Sequence, residues 1–269
     1  MILNISNQGS GIIERGVFSF CLSDYPNISS FELKNLVAFI KYEKSHDRQT
    51  EIVCEDKNII AAVNNAIAHP ETVENVLLPV KIESSTCTCN YRGCLTEFVC
   101  HSTDFNATKQ ILSGGSLLSA VKVYGKTGDE LALEKRDSLW NDPADFFEYI
   151  MLNWGNCIFG EYVVMSDYLN DPSEEDFENC SNPGVRFYFR YEDIIRHPGH
   201  TFDGYHTIKI KDEIVLSDYL HACIVPEQYK IELDNLILSE LAARVYYLPH
   251  KGLGLRDWSE KIYDFISKL

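Results

Sequence analysis

Two separated groups of polar residues in this chain could take part in chemistry. The first is His101-Ser102-Thr103, which ends a predicted apolar strand, and the second is Glu213, which precedes the apolar run 214–216. Imidazole, hydroxyl and carboxylate groups hydrogen-bond ligands, and strand ends in mixed folds face clefts. Each residue also has a simpler interpretation: His101 as a histidine satisfied within the fold, and Glu213 as a solvated turn residue.

The segment after Thr103 is typical of a short helix that stops at the pair Gly114-Gly115. Apolar alternation then predicts several short strands, and two helices close the chain. The predicted strands are 98–103, 117–124, 161–165, 185–191, 207–210, 213–216 and 222–225. The predicted helices are one that starts at 141–143 and ends near 155, then 232–247 and 256–268.

Residues 1–90 have the pattern of a small α/β module. Ser29 and Glu32 have the spacing of a capping box, and Asp56 can cap a second helix. Two further runs are strand-like, 51–54 and 76–82. No glycine-rich phosphate loop joins these elements, so we expect an accessory or recognition module that carries no catalytic residues.

The remaining residues predict an α+β fold. Their short strands and tight connections favour a mixed, mainly antiparallel sheet with inserted and C-terminal helices. The acidic segment 167–182 shows no periodic apolar pattern and predicts a solvated loop.

The composition limits the classes of function. The chain has 269 residues and a formal net charge of −16, which disfavours a broad nucleic-acid surface because duplex binding neutralises phosphates with Lys and Arg. No apolar run reaches the roughly 20 residues of a membrane helix. The first residues lack the basic and apolar regions of a signal peptide. We therefore expect a soluble cytoplasmic protein that does not bind membranes.

Two groups of residues have the chemistry of metal ligands, but the spacing of the first is not a familiar one and the second lies in a predicted turn between strands. The first group is Cys87, Cys89, Cys94 and Cys100, and the second is His197, His200, Asp203 and His206. We expect packed or hairpin cysteines in the first case and loop histidines in the second. The prediction is therefore that the chain holds no metal.

The polar groups and the helix after the first of them resemble the ADP-ribosyltransferase fold of the diphtheria-toxin and poly-ADP-ribose-polymerase type. In that family a strand ends in His and small polar residues, a helix with the pattern Ile-Leu-x-x-Gly follows, and a Glu precedes a late strand pair. Here the counterparts are His101-Ser102-Thr103, the helix 107–115, and Glu213. The likeness covers about residues 95–232 and implies a transferase domain over 91–269.

The resemblance implies a toxin-like, NAD-dependent mono-ADP-ribosyltransferase, a glycosyltransferase that breaks the nicotinamide–ribose bond and passes ADP-ribose to an acceptor. His101 would hydrogen-bond the adenosine ribose of NAD. The backbone beside His101 would bind the nicotinamide amide, with Ser102 and Thr103 also in the NAD site. Glu213 would bind the nicotinamide ribose and stabilise the oxocarbenium ion that develops as nicotinamide leaves.

The resemblance also implies a tyrosine that stacks under the nicotinamide from a central strand. Tyr162 and Tyr188 are the candidates, and Tyr162 is preferred. Separately, Arg136 could bind the pyrophosphate through its planar guanidinium, and Trp140 could stack on a base or on nicotinamide. The alternative interpretation is a helix-entry loop in which Trp140 packs into the core.

Two other functions stay open at this level. The chain could be a non-catalytic binding or immunity-type protein with a vestigial cleft. It could also be a hydrolase that uses His101 with Cys157 or Glu213 on a substrate other than a nucleotide. For a transferase, the acidic charge favours a protein acceptor over a nucleic acid.

Overall fold

The protein is described by a computed structural model that covers residues 1–8, 13–14, 16–76, 97–134, 143–155, 157–166, 169, 172–180 and 182–269. Helices and mixed sheets alternate along these ranges, which confirms the predicted α+β class. The domain boundary predicted at residue 90 lies outside them and stays a prediction. Within the described ranges, no helix combines the length and apolarity needed to cross a bilayer.

The N-terminal part contains a four-stranded sheet of order β2-β3-β1-β4, in which β1 runs parallel to both β3 and β4. Its strands are β1 (Ile2–Ser6), β2 (Ile13–Glu14), β3 (Val17–Cys21) and β4 (Glu51–Cys54). Its helices are α1 (Ser30–Ser45), α2 (Lys57–Ala68) and α3 (Glu71–Glu74). The predicted strand 76–82 falls almost entirely outside the described residues.

Both predicted helix starts in this part are confirmed. The Ser29 hydroxyl accepts from the Glu32 N–H, and the Glu32 carboxylate accepts in return from the Ser29 N–H at 2.8 Å. Asp56 accepts from the first N–H groups of α2. These contacts occupy amide hydrogens that have no partner inside a helix. Local sequence therefore decides where α1 and α2 begin.

The second part is built on a six-stranded sheet of order β12-β11-β8-β5-β7-β9 and a separate ribbon of β6 and β10. Only β11 and β12 pair in parallel within the larger sheet. The strands are β5 (Phe98–Thr103), β6 (Ser116–Leu118), β7 (Tyr149–Trp154), β8 (Val185–Arg190), β9 (Ile208–Lys211), β10 (Glu213–Val215), β11 (Leu220–Pro226) and β12 (Val245–Leu248).

Short helices connect these strands, and one longer helix ends the chain. The α-helices are α4 (Phe105–Gly114), α5 (Ala120–Tyr124), α6 (Gly128–Glu134), α7 (Phe159–Ser166), α8 (Glu174–Glu178), α9 (Tyr191–Ile194), α10 (Leu216–Tyr219), α11 (Lys230–Leu233) and α12 (Leu255–Ile266). The 3₁₀ helices are Ala144–Glu148, Glu227–Tyr229 and Ala242–Arg244. The acidic segment therefore includes a helix, α8, where a loop was predicted.

The two faces of the larger sheet have different covers. On one face, Val99 of β5 shares a buried cluster with Leu112 of α4 and Ile214 of β10. On the other, Cys100 shares a cluster with Trp258 and other apolar residues of α12. Full burial of one large apolar side chain stabilises a fold by about 1.5–3 kcal/mol. Successive β5 side chains thus enter separate cores, because a strand alternates its side chains between faces.

Two predicted elements have the opposite type in the structure. Residues 161–165 were predicted as a strand but lie in α7, where Glu161, Val164 and Met165 are buried at helical spacing. The helix predicted from 141–143 onward is wrong beyond residue 148. There, Ile150 and Leu152 are buried in alternation, as expected for strand β7. Short apolar runs fit both periods, so packing decided between them.

Two other predicted elements change type part-way. The strand predicted over 117–124 ends at Leu118, and α5 follows it. The helix predicted over 232–247 is reduced to the end of α11 and a 3₁₀ turn, and the chain then enters β12. The β12 residues Val-Tyr-Tyr-Leu are β-branched and aromatic, and their pairing with β11 supplies strand hydrogen bonds.

A buried ammonium group joins the N-terminal part to the larger sheet. Lys209 of β9 is fully buried, and its Nζ lies 4.0 Å from the Tyr42 ring, 4.1 Å from Phe146 and 4.4 Å from Tyr149. Lys209 also donates to the Tyr42 hydroxyl at 2.6 Å. Burial lowers the pKa of Lys209, although nearby carboxylates act in the opposite direction. Tyr42 belongs to α1, so this contact ties α1 to β9.

The carboxylates around Lys209 complete the junction. Asp203 lies 3.4 Å from Lys209 Nζ, and Asp145 accepts from Arg48 of the N-terminal part at 2.5 Å. Burial opposes ionisation of Asp203, yet His206 and Lys209 hold its pKa well below the usual range. The loop that was considered as a metal site therefore binds the two parts of the chain together.

The same loop makes a close backbone approach to α1. Gly204 has a φ of +70°, and a side chain there would collide with the Asn35 carbonyl. The next residue, Tyr205, packs edge-on against Phe18 at a centroid distance of 5.0 Å. Only glycine combines this backbone conformation with this contact. The loop thus completes the N-terminal core.

We predict that Lys209→Met destabilises the protein by about 3–5 kcal/mol, because it removes the cation that lies 3.4 Å from the buried Asp203 carboxylate. The matched control is Lys211→Met, which removes a half-exposed pair with Glu148 at 3.2 Å and should change stability by less than about 1 kcal/mol. Urea unfolding of both variants measures the difference. Equal losses would show that the buried ammonium does not hold the junction.

Candidate functional site

The His101-Ser102-Thr103 sequence forms the last half of β5, as predicted. Period-two alternation directs His101 and Thr103 toward the face that holds Val99, whereas Ser102 shares the face of Cys100. The side chains of His101 and Thr103 therefore lie on the opposite face of the sheet from the side chain of Ser102.

Strand β5 is paired on only one edge where these residues lie. Its pairing with β8 continues through Thr103, but its pairing with β7 ends at Cys100 and Asn153. The Phe98 carbonyl accepts from Gly155 at 3.0 Å and so faces β7. Because backbone groups alternate in direction along a strand, the N–H and C=O of Ser102 face β7 as well.

The end of this pairing leaves a split in the ladder beside Ser102. In the described residues, the register of β5 with β7 covers Val99 and Cys100 and does not extend to Ser102. An N–H and a C=O on one residue can together bind a carboxamide, which carries the complementary acceptor and donor. We call the split, with His101, Ser102 and Thr103, the strand-end site.

The His101 imidazole is held in a neutral form. It is half-buried, and its Nδ1 lies 3.3 Å from the Met151 carbonyl oxygen. Burial lowers the pKa of His101, and the contact with Met151 only partly opposes that effect. A carbonyl oxygen can only accept, so the neutral ring carries its proton on Nδ1. Nε2 is therefore the atom that can accept a hydrogen bond from a ligand hydroxyl.

The start of α4 is occupied by its own cap. Asp104 accepts from the N–H groups of Asn106 at 2.6 Å and Ala107 at 2.9 Å. A carboxylate there offsets the positive helix end that would otherwise attract a phosphate. Gly115 ends the helix with a φ of +77°, as the glycine pair predicted. The helix therefore offers no phosphate site at its first turn.

Glu213 begins β10 on the separate ribbon. It lies opposite Leu118 of β6, and Ile214 is buried while Glu213 is exposed. The ribbon is extended on both sides of the pairing, because Ser119 donates to the Asp212 carbonyl and Leu216 donates to Gly115, each at 2.8 Å. The segments 98–118 and 213–226, which are far apart in the chain, are thus joined by direct strand pairing.

His101 and Glu213 lie toward the same end of the larger sheet, where β5 and β9 terminate. Strand β7 is antiparallel to both β5 and β9, and Tyr149 at its start pairs with Lys211 at the end of β9. The C-terminal ends of β5 and β9 therefore lie at the same end of the sheet. They are separated by two strand spacings, which is roughly 10 Å. Glu213 follows Lys211 after one residue. A common ligand for the two side chains stays a prediction.

A buried ion pair lies under the strand-end site. The Glu161 carboxylate of α7 accepts from Arg186 Nε at 2.5 Å, from the Gly184 N–H at 3.1 Å and from the Ser102 hydroxyl at 3.3 Å. Arg186 of β8 also donates to Ser259 of α12 at 2.9 Å. Both charged side chains are almost fully buried.

Sequence reasoning missed this pair as part of the site. Burial disfavours the charged guanidinium of Arg186, yet Glu161 beside it raises the pKa of Arg186 above its ordinary value. The one sequence feature that pointed to the pair was Arg186, a charged residue within the largely apolar strand β8. The partner Glu161 was not identifiable, because its segment was predicted as a strand.

The two tyrosine candidates occupy other places than predicted. Tyr162 lies on helix α7, not on a central strand, and its ring contacts Phe177 at a centroid distance of 5.9 Å. Tyr188 is on central strand β8, but it is fully buried in the cluster of Trp258. Burial raises the pKa of Tyr188. Its ring has no exposed face on which nicotinamide could stack.

Other proposed site residues lie partly outside the described ranges. Arg136 and Trp140 are in the segment 135–142, and three of the four clustered cysteines are in 77–96, so those predictions stay open. The fourth, Cys100, packs in the core, and burial raises the pKa of its thiol to about 12. Within the described part of the chain, no group of three or more His, Cys, Asp or Glu side chains could hold a metal ion.

No protein-family model, curated protein or solved structure matches this chain.

We predict that His101 titrates below 6.5, the ordinary value for histidine, because burial favours the neutral ring. Its contribution to stability should be complete above that pH and should disappear as the pH falls through the folded-state pKa. Ring ¹⁵N chemical shifts, assigned by comparison with His101→Asn, measure the midpoint. The same protein unfolded in urea is the reference, and a midpoint no lower than the reference would contradict the prediction.

Proposed function

We propose that the protein is an NAD-dependent mono-ADP-ribosyltransferase. The observation that carries the proposal is the pairing of β6 with β10, which joins the two segments of the resemblance in one substructure. Two further observations support the proposal: the pairing of β5 with β7 ends before Ser102, and Glu213 lies at the same end of the sheet. The acceptor would be a protein rather than a nucleic acid, in keeping with the net charge of −16.

The strand-end site would bind the two halves of NAD differently. The Ser102 N–H and C=O would bind the nicotinamide carboxamide, which needs one donor and one acceptor. The neutral His101 ring would accept from a ribose hydroxyl through Nε2. The Ser102 hydroxyl already donates to Glu161, so the backbone of Ser102 would carry the contact with NAD.

Glu213 would act on the bond that breaks. As the ribose C1′–nitrogen bond lengthens, its electron pair leaves with nicotinamide and positive charge develops on the ribose. An exposed carboxylate on the ribbon can accept from the ribose hydroxyl and stabilise that charge more strongly in the transition state than in NAD. A nucleophile of the acceptor then bonds to C1′ and loses its proton to solvent.

We predict that Glu213→Gln lowers nicotinamide release from NAD by at least a hundredfold, the loss that follows removal of one electrostatic stabiliser, roughly 2.7–4 kcal/mol. Glu192→Gln is the matched control, because Glu192 is also exposed and lies on α9. The measurement is release of labelled nicotinamide by purified protein, with and without a mixture of acceptor proteins. Equal release by the wild type and Glu213→Gln would exclude the proposed role of Glu213.

We predict that NAD stabilises the fold by about 2.7 kcal/mol at a hundred times its dissociation constant. Thermal unfolding with millimolar NAD, and with NADP as a comparison ligand, measures this effect. Binding without nicotinamide release would favour a non-catalytic binding protein with a vestigial cleft. The absence of both NAD binding and nicotinamide release would contradict the proposal as a whole.

A further inference from the structure

We infer that Glu161 and Arg186 are positioning residues, which hold the Ser102 backbone at the split so that it can bind a carboxamide. The inference rests on the proposed function for the identity of the ligand. Arg186 lies on β8, which pairs with the other edge of β5, and Glu161 contacts the Ser102 hydroxyl from α7. They act on the site through Ser102.

Three contacts restrain Ser102, one from β8 and two from α7. Its hydroxyl donates to Glu161 at 3.3 Å, and its Cα is paired across the ladder with Arg186. Helix α7 also approaches closely, since a methyl group at Gly160 would lie 2.9 Å from the Ser102 hydroxyl oxygen. Strand, ion pair and helix therefore meet at one side chain.

The need for such support follows from the sheet topology. A strand that is paired on both edges is held by its ladders, but β5 loses its β7 partner after Cys100. From that point, the described restraints on the backbone are the ladder with β8, the contact of His101 with the Met151 carbonyl and the side-chain contacts of Ser102. The Glu161–Arg186 pair therefore contacts Ser102, in the part of β5 that is paired with β8 alone.

A purely structural role is the competing explanation, because removing one member of any buried ion pair is destabilising. The chain offers a matched pair for comparison. Glu43 is 2% exposed and accepts from Arg48 at 2.8 and 2.9 Å, but it lies on α1, away from β5. Glu43→Gln should lower stability less than Glu161→Gln, because Arg48 is partly exposed and keeps Asp145 as a partner, and it should leave the strand-end site unchanged.

The first experiment compares these two variants. We predict that Glu161→Gln raises the KM for NAD about tenfold, the loss expected for one charge-assisted hydrogen bond, with a smaller change in kcat. It should also accelerate amide hydrogen exchange in peptides that contain 101–103. Glu43→Gln should leave both quantities at the wild-type values. The same KM and exchange in both variants would overturn the inference.

A second variant covers the case in which Glu161→Gln does not fold. The double substitution Glu161→Leu with Arg186→Met removes both charges, and apolar replacement of a buried ion pair commonly preserves stability. We predict a folded protein that is less stable by about 1–3 kcal/mol, because the buried Gly184 N–H loses its acceptor. KM should rise and exchange at 101–103 should be faster, because Ser102 also loses its acceptor. A double variant with wild-type KM and wild-type exchange would assign the pair a structural role only.

The readouts separate this inference from the proposed function. If the wild type neither binds NAD nor releases nicotinamide, the proposed function fails, and exchange at 101–103 alone decides whether the pair positions the strand. If the wild type is active and Glu161→Gln leaves exchange and KM unchanged, the proposed function stands and the positioning role is wrong. Both outcomes are reached with the 269-residue chain.

Discussion

The unequal pairing of strand β5 is the constraint from which the rest of the site follows. Its ladder with β8 reaches Thr103, whereas its ladder with β7 ends at Cys100. A strand end with one free edge presents backbone donors and acceptors that must find other partners. In this fold the free edge coincides with the only half of β5 that carries an imidazole and hydroxyl groups. The backbone and the side chains therefore present polar atoms at one place.

Two buried ionic clusters lie on the same face of the larger sheet. One, around Lys209, joins the sheet to α1, and the other, Glu161 with Arg186, lies under Ser102. Buried charges need not stabilise a fold more than apolar side chains of the same size would, but they require particular partners. The first cluster thus connects β9 to α1, and the second connects β8 to α7 and α12. The N-terminal part is attached to the sheet through the first of these clusters.

The helix starts were predictable because their signals are local. Ser29, Asp56 and Asp104 each cap a helix with their own neighbours, and no distant residue is needed. Segments with short apolar runs were not predictable in the same way. Residues 161–165 satisfy strand and helix periods almost equally, and contact with β5 selects the helix. Likewise, residues 245–248 form a strand because β11 offers them an edge.

By itself, the sequence determined the α+β class, the capped helices and the polar residue types at the end of β5, since these depend on composition and near neighbours. Only the tertiary structure decided that Ser102 points toward Glu161, that Tyr188 is enclosed and that Glu213 pairs opposite Leu118. The physical reason is that strand pairing and burial depend on residues far apart in the chain. A single slip in register would have turned each of these side chains to the other face.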